Sequence, residues 1–434
     1  MRSSSFSCAV LVAAVAGCSD NSSDATDAGD ADTDADTDTG DPIPLTAVDL
    51  LVVVDNSGAL AQEQAILSGA LFELVGGLMY PLPTSPYAAV DDLRIAATTV
   101  NMGFSSDGVN NDEYWPGAMV DACSGFGDDG AFHTSMPSQV AIQNGVIPCD
   151  DTAAQCPPGW DCVGTEEDDD TPGQGVCNSG GTLPETVIDC PELDDAPWAE
   201  TTTDSANADL AAQAACLARQ GTSGCGFEQQ LASPARAFTR EDQADFVRDN
   251  AVLAVIVMSD EEDCSMQDGQ AMFAEDEAQH QDEMKVGLLC GNHPEHLFPP
   301  SYFYETFTEA RGRADAVVYL AIAGVPWTGE NPAGAAACQG YGDQIAECLD
   351  QDAMQLVAEQ PSLPEDLTWF FRHACSRYLA PEDDSPVTYG FPGRRFVELA
   401  NDFGANGYVY SICNADWSPA FDALGAMIAG KLAP

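Results

Sequence analysis

Two aspartates, each at the end of a long apolar run, have the residue types and setting for metal chemistry. Asp55 follows the run 47–54 and precedes Ser57 by two residues, while Asp260 follows the run 251–259. Three more acids at 261–263 extend the second group. Carboxylate and hydroxyl oxygens are hard ligands that suit Mg²⁺, Ca²⁺ or Mn²⁺. The pattern predicts a divalent-cation site if the fold brings the two runs together. The alternative is a degenerate site whose acids only cap helix N-termini.

The elements that must position these residues are strands of a sheet covered by helices. Both apolar runs are rich in Val and nearly unbroken, which is typical of parallel strands buried on both faces. Leucines at three- and four-residue spacing over 60–78 predict a helix directly after the first run. Further strands are expected at 93–100, 314–326 and 407–413, with helices between them and at the end of the chain. Ligands of open α/β sheets bind at the carboxyl ends of the strands, so Asp55 and Asp260 are expected to meet there.

The stretches 48–58, 251–265 and 407–421 resemble a von Willebrand factor A-type domain. The turn after the first strand is similar to the D-x-S-x-S turn of that family, although Ala59 stands in place of the second serine. The resemblance implies an α/β fold with a doubly wound, mostly parallel sheet of the VWA or Rossmann-like kind. It also implies a divalent cation, Mg²⁺ or Ca²⁺, that is used for adhesion. The resemblance is absent from the disulfide-rich loop insertions.

The cation site that the resemblance implies contains Asp55, Ser57 and Asp260. In the family a threonine from a loop between two helices completes this site. Thr222 is the candidate here, but alignment on Leu231 would place Cys225 at that position instead. Water would then fill the rest of the coordination shell.

The N-terminal region has the pattern of an exported lipoprotein. Residues 1–17 combine Arg2 with a short apolar segment, and the run before Cys18 resembles a bacterial lipobox. Cleavage there would leave Cys18 lipidated, and Ser19 favours the outer membrane; an ordinary signal peptide is the alternative. Residues 18–46 form an acidic linker that cannot bury enough apolar surface to fold. Residues 47–434 are predicted to form the VWA-like domain, with insertions at about 105–203, 266–300 and 327–365.

The charge balance restricts the classes of partner. The chain has 14 basic and 71 acidic residues, for a formal net charge of −57. Such a charge argues against nucleic acid and against direct contact with anionic lipid. It favours cations, a basic partner or simply a well-solvated acidic surface. Contact with a membrane is therefore expected through Cys18 only.

Fourteen of the 16 cysteines remain after Cys8 and Cys18 are set aside. An even number in an exported chain predicts disulfide bonds. No C-x-x-C pair occurs, which argues against thiolate metal sites. Closeness in sequence favours four pairs: Cys216–Cys225, Cys264–Cys290, Cys338–Cys348 and Cys375–Cys413.

A second cluster of possible metal ligands, His293-Pro294-Glu295-His296, lies in the 266–300 insertion. The proline is expected to prevent the helical turn that would align the two histidines. No H-E-x-x-H motif is present. The segment is therefore expected to be an ordinary surface loop.

No G-x-S-x-G motif and no glycine-rich phosphate loop occurs, so an enzyme is not expected. Three hypotheses remain. The first is a binding or adhesion module for a protein or cell-surface ligand, in which the cation contacts a carboxylate of the partner. The second is a structural cell-envelope protein with a silent cation site, and the third is a secreted hydrolase. The identity of the ligand and the oligomeric state stay open.

Overall fold

A central sheet of seven strands organises the fold. The computed structural model describes residues 43–58, 60–81, 88–103, 123, 125–143, 148–149, 161–164, 175–178, 185–193, 196–201, 208–267, 269, 271–272, 288–359, 370–378, 386 and 388–432. The segment 43–434 is one compact unit. The predicted signal peptide, Cys18 and the acidic linker up to residue 42 lie outside the described residues.

The strands and helices are numbered here in chain order. The strands are β1 (Ala47–Val54), β2 (Leu93–Thr99), β3 (Gln139–Gln143), β4 (Pro148–Cys149), β5 (Asp161–Gly164), β6 (Gly175–Asn178), β7 (Glu185–Asp189), β8 (Ala199–Glu200), β9 (Ala251–Met258), β10 (Val317–Ala323), β11 (Gly340–Tyr341), β12 (Ala358–Glu359), β13 (Phe370–Phe371), β14 (Cys375–Arg377), β15 (Thr388–Gly390) and β16 (Gly407–Ser411). The helices are α1 (Ala61–Met79), α2 (Ala208–Leu217), α3 (Ala232–Thr239), α4 (Leu289–Asn292), α5 (Pro300–Arg311), α6 (Pro332–Cys338), α7 (Arg394–Phe403) and α8 (Ser418–Ala429). Short 3₁₀ turns link several of them.

The central sheet has the order β11-β16-β10-β9-β1-β2-β8. Its five inner strands are parallel, and the two edge strands, β11 and β8, run antiparallel to their neighbours. β1 lies between β9 and β2, where Val54 is opposite Thr99 on one side and Met258 on the other. The α/β class and the mostly parallel sheet that the sequence predicted are therefore confirmed.

Helices cover both faces of the sheet, which explains why its inner strands are mainly apolar. Side chains of a strand alternate between faces. Accordingly Val52 and Val54 pack in the cluster that contains residues of α1, α2 and α8. Val53, between them, packs in the opposite cluster with residues of α3, α5 and α7. Every residue of β1 and β9 is buried.

Among the described residues, five disulfide bonds connect the segments around the sheet. Three of the predicted pairs are confirmed: Cys264–Cys290, Cys338–Cys348 and Cys375–Cys413. The predicted pair Cys216–Cys225 is wrong, because Cys216 bonds to Cys190 and Cys225 bonds to Cys123. Cys216 lies in α2 and packs into the core on one face of the sheet. Cys225 lies in the next loop, in a separate cluster with Cys123, so the tertiary packing overrides closeness in sequence.

The 105–203 insertion is more regular than the sequence indicated. Where the structure describes it, β3 pairs with β7, β6 pairs with both β4 and β5, and β8 joins the edge of the central sheet. Val140 and Ile188, which face each other across β3 and β7, are buried in the main core. Burial of these side chains gives the insertion a stable anchor on the domain. The sequence also predicts a short helix near Trp369, and that residue lies outside the described residues.

Within the described part of the chain, none of the helices is both long and apolar enough to cross a bilayer.

Candidate functional site

The carboxyl ends of β1 and β9 bring the two predicted acidic groups together. Ser259 Oγ donates a hydrogen bond of 2.6 Å to Asp55 Oδ2, which joins the residue before Asp260 directly to Asp55. The amide of Ser57 donates to Asp55 Oδ1 at 2.9 Å. Asp55 is fully buried, and Ser57 is nearly so. The structure thus places Asp55, Ser57 and Asp260 at one edge of the sheet.

Asp260 is held through its backbone, and its carboxylate is buried. Its carbonyl oxygen accepts a hydrogen bond of 2.7 Å from the amide of Phe391. The residue is only 4% exposed, and its Oδ1 has no hydrogen-bond partner among the described residues. A buried carboxylate oxygen without a partner is costly, so this atom calls for a ligand.

Glu228 is a further acid of the site, and the sequence analysis did not identify it. It lies in the loop between α2 and α3, the same loop in which Thr222 was the candidate. Glu228 is 1% exposed, and its Oε1 also lacks a hydrogen-bond partner within the described ranges. The negative charges of Glu261, Asp55 and Asp260 act on it. The signal that could have found it is an acid flanked by apolar residues, Phe227 and Leu231, that are themselves buried.

The pKa values of all four carboxyl groups are raised, in each case chiefly by burial. Burial raises the pKa of Asp55. Burial first, and then the negative charges of the neighbouring acids, raise the pKa values of Asp260 and Glu228 well above their ordinary values. Burial and the charge of Asp55 raise the pKa of Glu261 to about 7. Without a cation, ionisation of this cluster opposes folding.

The next two acids have structural roles. Glu262 Oε2 and Oε1 accept hydrogen bonds from the first two amides of α7, Arg394 and Arg395, at 2.6 and 2.9 Å. The carboxylate thus caps the helix and faces the positive end of its dipole. Burial nevertheless raises the pKa of Glu262 to about 8. Helix capping, the alternative for the whole acidic group, therefore describes Glu262 but not Asp55 or Asp260.

Asp263 fixes the loop that follows β9. Its Oδ1 accepts hydrogen bonds from the amide of Leu231 at 2.9 Å and from Ser265 Oγ at 2.6 Å. Its Oδ2 accepts one from Arg395 Nε at 2.8 Å. Asp263 is fully buried, so this network ties the loop rigidly to the start of α3 and to α7.

The loop that carries Thr222 lies against the end of β1. Gln64 Nε2 in α1 donates to the carbonyl oxygens of Asp55 and Gly221 at 2.8 and 2.7 Å, and the amide of Gly224 donates to Asn56 O at 2.8 Å. Thr222 itself is half-buried, and within the part of the chain described here its hydroxyl makes no hydrogen bond to Asp55 or Asp260. Ala59 lies outside the described residues.

The donor set of this edge consists of oxygen atoms only. Asp55, Asp260, Glu228 and Glu261 carry the carboxylates and Ser57 carries the hydroxyl. Among the described residues no three of these carboxylates bring oxygens within 4.8 Å of one another, so a cation would draw the side chains closer together as it binds. Hard divalent cations prefer such ligands, and Ca²⁺ in particular takes six to eight oxygens, several of them from carboxylates. The two buried oxygens without partners fit a bound cation, because a cation satisfies both their charge and their lone pairs.

Comparison with known proteins gives no match to a family model, a curated protein or a solved structure. The function therefore has to be inferred from the chemistry of the site itself.

A strap formed by residues 388–393 covers the acids, and Gly324 sets how closely it approaches. The amide of Gly393 donates to Gly324 O at 2.9 Å, and a Cβ on Gly324 would lie 1.8 Å from the carbonyl oxygen of Phe391. Burial, together with the charges of Asp260 and Glu261, raises the pKa of Tyr389 in this strap to about 12. The strap therefore packs against the acidic residues, and its close approach to the end of β10 requires glycine at position 324.

Gly324→Ala is expected to lower the free energy of unfolding by about 1–3 kcal/mol, because the new methyl group overlaps backbone that cannot move independently. Urea denaturation measures this loss. Gly77→Ala is the matched control, since the space beside exposed Gly77 in α1 is open within 4 Å. That variant should gain about 1 kcal/mol from helix propensity. Equal effects of the two substitutions would contradict the close approach of the strap.

Proposed function

We propose that this chain is an extracytoplasmic binding module built on a von Willebrand A-like domain, in which a divalent cation orders the loops at the carboxyl edge of the sheet. The observation that carries the proposal is a pair of buried carboxylate oxygens near Asp55, Asp260 Oδ1 and Glu228 Oε1, that have no hydrogen-bond partner in the described part of the chain. A cation held there would link β1, β9 and the loop between α2 and α3.

The strand order supports the family assignment. When β11 is left aside and the other six strands are numbered along the chain, the sheet reads 3-2-1-4-5-6. This is the order of doubly wound sheets, whose ligands bind at the point where the order reverses. The reversal falls between β1 and β9, the strands that end at Asp55 and Asp260. The antiparallel third strand, β8, is the departure from an all-parallel sheet.

The charge of the site favours Ca²⁺ over Mg²⁺. Up to four carboxylates are available to the proposed cation, and Ca²⁺ accepts many carboxylate oxygens in flexible geometry. Mg²⁺ instead demands a near-ideal octahedron and keeps several waters. A dry site that is crowded with acids therefore suits the larger ion.

The charge and the burial of these carboxylates argue against direct contact between the cation and a partner. The four carboxylates outweigh the two positive charges of one cation, so the site does not attract a carboxylate of a partner. Asp55 and Asp260 are 0% and 4% exposed, which also keeps a hydrolase substrate away from them. We therefore propose binding rather than catalysis. The cation acts by holding the loops whose outer surface contacts a protein or cell-surface ligand, and the formal charge of −57 favours a basic one.

The location follows from the N-terminal pattern. We propose that lipidated Cys18 anchors the protein to the outer membrane, with the acidic linker as a spacer. Replacement of Cys18 by Ala should release the protein from washed membranes into the soluble fraction.

Calorimetric titration of chelator-treated protein with Ca²⁺ and with Mg²⁺ tests the cation site. We expect about one equivalent of Ca²⁺ to bind, more tightly than Mg²⁺. The isosteric variants Glu228→Gln and Asp55→Asn should weaken Ca²⁺ binding at least about tenfold, because each removes a charged ligand. Asp352→Asn is the control, since that carboxylate has a side-chain exposure of 92%. The absence of heat in the wild type would reject the cation-dependent function and leave a structural envelope protein with a silent site.

A further inference from the structure

A cluster of different chemistry lies in the turn between α4 and α5. His293, Glu295 and His296 each turn one ligand atom toward the others, and these atoms all lie within 4.8 Å of one another. His293 Nδ1 and Glu295 Oε1 are 3.3 Å apart. The two imidazole rings are stacked with their centroids 6.1 Å apart. The donor set is thus two nitrogens and one oxygen, unlike the all-oxygen set beside Asp260.

Pro294 helps to form this arrangement, and the expectation that it would prevent a helical turn is wrong. Pro294–His296 is a 3₁₀ turn in which proline takes the first position. Proline is tolerated there because the first amides of a helix have no partner within it. The amide of His296 donates to His293 O at 3.1 Å and closes the turn.

The backbone of the turn is fixed on both sides. The Cys264–Cys290 disulfide ties the preceding helix, α4, to the loop after β9. On the other side, the amide of Gln267 donates to His296 O at 2.8 Å, and Met266 forms an isolated bridge with Leu297. Ligands carried by a rigid backbone lose little entropy when a metal binds.

We propose that His293, Glu295 and His296 form a zinc site on the surface of this domain. Zinc prefers imidazole nitrogen and carboxylate oxygen, and three protein ligands leave a fourth tetrahedral position for water. Bonds of about 2.0–2.1 Å to zinc place neighbouring ligand atoms about 3.4 Å apart. The separation of His293 from Glu295 already has this value. His296 reaches the same distance by rotation of its partly exposed side chain.

The side chains are accessible enough for a metal to enter. The side chain of His293 is 19% exposed and that of Glu295 is 56% exposed. The proposal is independent of the cation site beside Asp260, because nitrogen-containing sites select transition metals while oxygen-only sites select Ca²⁺ or Mg²⁺.

The test is calorimetric titration of full-length protein, freed of any histidine tag, with Zn²⁺ in the presence of excess Ca²⁺. We expect about one equivalent of Zn²⁺ to bind. His296→Ala and His293→Ala should each weaken this binding at least about tenfold, because a two-ligand site is left. Glu295→Gln should weaken it less than either, since the amide oxygen remains a weak ligand. His133→Ala, at a partly exposed histidine outside the turn, should bind Zn²⁺ as the wild type does.

Two results would overturn the zinc site: no Zn²⁺ binding by the wild type, or equal binding by the wild type and both histidine variants. Circular dichroism of each variant establishes that it is folded. Glu228→Gln should keep full Zn²⁺ affinity, so failure of the zinc site and failure of the Ca²⁺ site give different results.

Discussion

Cation-free protein is expected to lose stability as the pH rises from about 4.5 to about 7, and Glu261→Gln should remove a large part of that loss. The pKa of Glu261 is raised to about 7 in the folded protein, from an ordinary value of 4.5. Below pH 4.5 the folded and unfolded chains both hold this proton. Above it the unfolded chain releases the proton first, so unfolding is favoured until the folded carboxyl also ionises near pH 7.

The size of this effect follows from the difference between the pKa values of Glu261 in the folded and unfolded chains. A difference of roughly 2.5 pKa units corresponds to a cost on the order of 3 kcal/mol at pH 8. Glu261→Gln should therefore raise the free energy of unfolding at pH 8 by about that amount and leave it almost unchanged at pH 4. Urea denaturation of the chelator-treated wild type and variant measures the difference in the free energy of unfolding at pH 8 and at pH 4.

Addition of Ca²⁺ supplies the complementary measurement. A cation that binds only the folded chain stabilises it by about 2.7 kcal/mol at a concentration 100 times its Kd. In wild type this gain should be largest at pH 8, where the acids are ionised, and should vanish at pH 4. A free energy of unfolding that rises steadily from pH 4.5 to pH 8 in cation-free protein would contradict the electrostatic account of the site.

Arg395→Met is expected to cost about 3–5 kcal/mol of stability, because it leaves the carboxylate of Asp263 buried without its counter-ion. Arg395 Nε donates to Asp263 at 2.8 Å, and Asp263 is fully buried. The substitution also removes a hydrogen bond from the guanidinium to Phe298 O. Methionine keeps most of the apolar volume, so the loss reports on charge rather than on a cavity.

Arg236→Met is the matched control. Arg236 pairs with Asp129 on the surface, with exposed side-chain fractions of 45% and 30%. Its removal should cost less than about 1 kcal/mol, as is usual for exposed ion pairs. Adding Asp263→Asn to the Arg395→Met variant should recover part of the loss, since the unpaired charge is then gone. Similar costs for the two arginine substitutions would show that the Asp263 network does not hold the loop.

The Arg395 variant also connects the fold with the proposed function. Asp263 lies three residues after Asp260 and fixes the loop that presents Asp260 and Glu261. When that loop loosens, the Ca²⁺ ligands are no longer held in position, and the affinity for Ca²⁺ should fall together with the stability. A variant that unfolds more easily but keeps full Ca²⁺ affinity would separate the two roles.

The inner strands could be predicted from the sequence alone. The expected run at 47–54 matches β1 residue for residue, and the expected run at 251–259 extends one residue beyond the end of β9. A strand buried on both faces needs an unbroken apolar run, and such a run has few alternative structures when polar residues end it. Three disulfide bonds were also predictable, because their cysteines are 10 to 38 residues apart and short loops favour pairing.

Only the tertiary structure shows which groups meet at the edge of the sheet. Glu228 joins Asp55 and Asp260 because the loop between α2 and α3 folds over the end of β1, and no periodicity in the sequence encodes that approach. The pairing of Cys123 with Cys225, 102 residues apart, depends on the same packing. Apolar periodicity is a local property that determines strands and helices. The meeting of distant polar groups is decided by strand order and loop packing, which involve the whole chain.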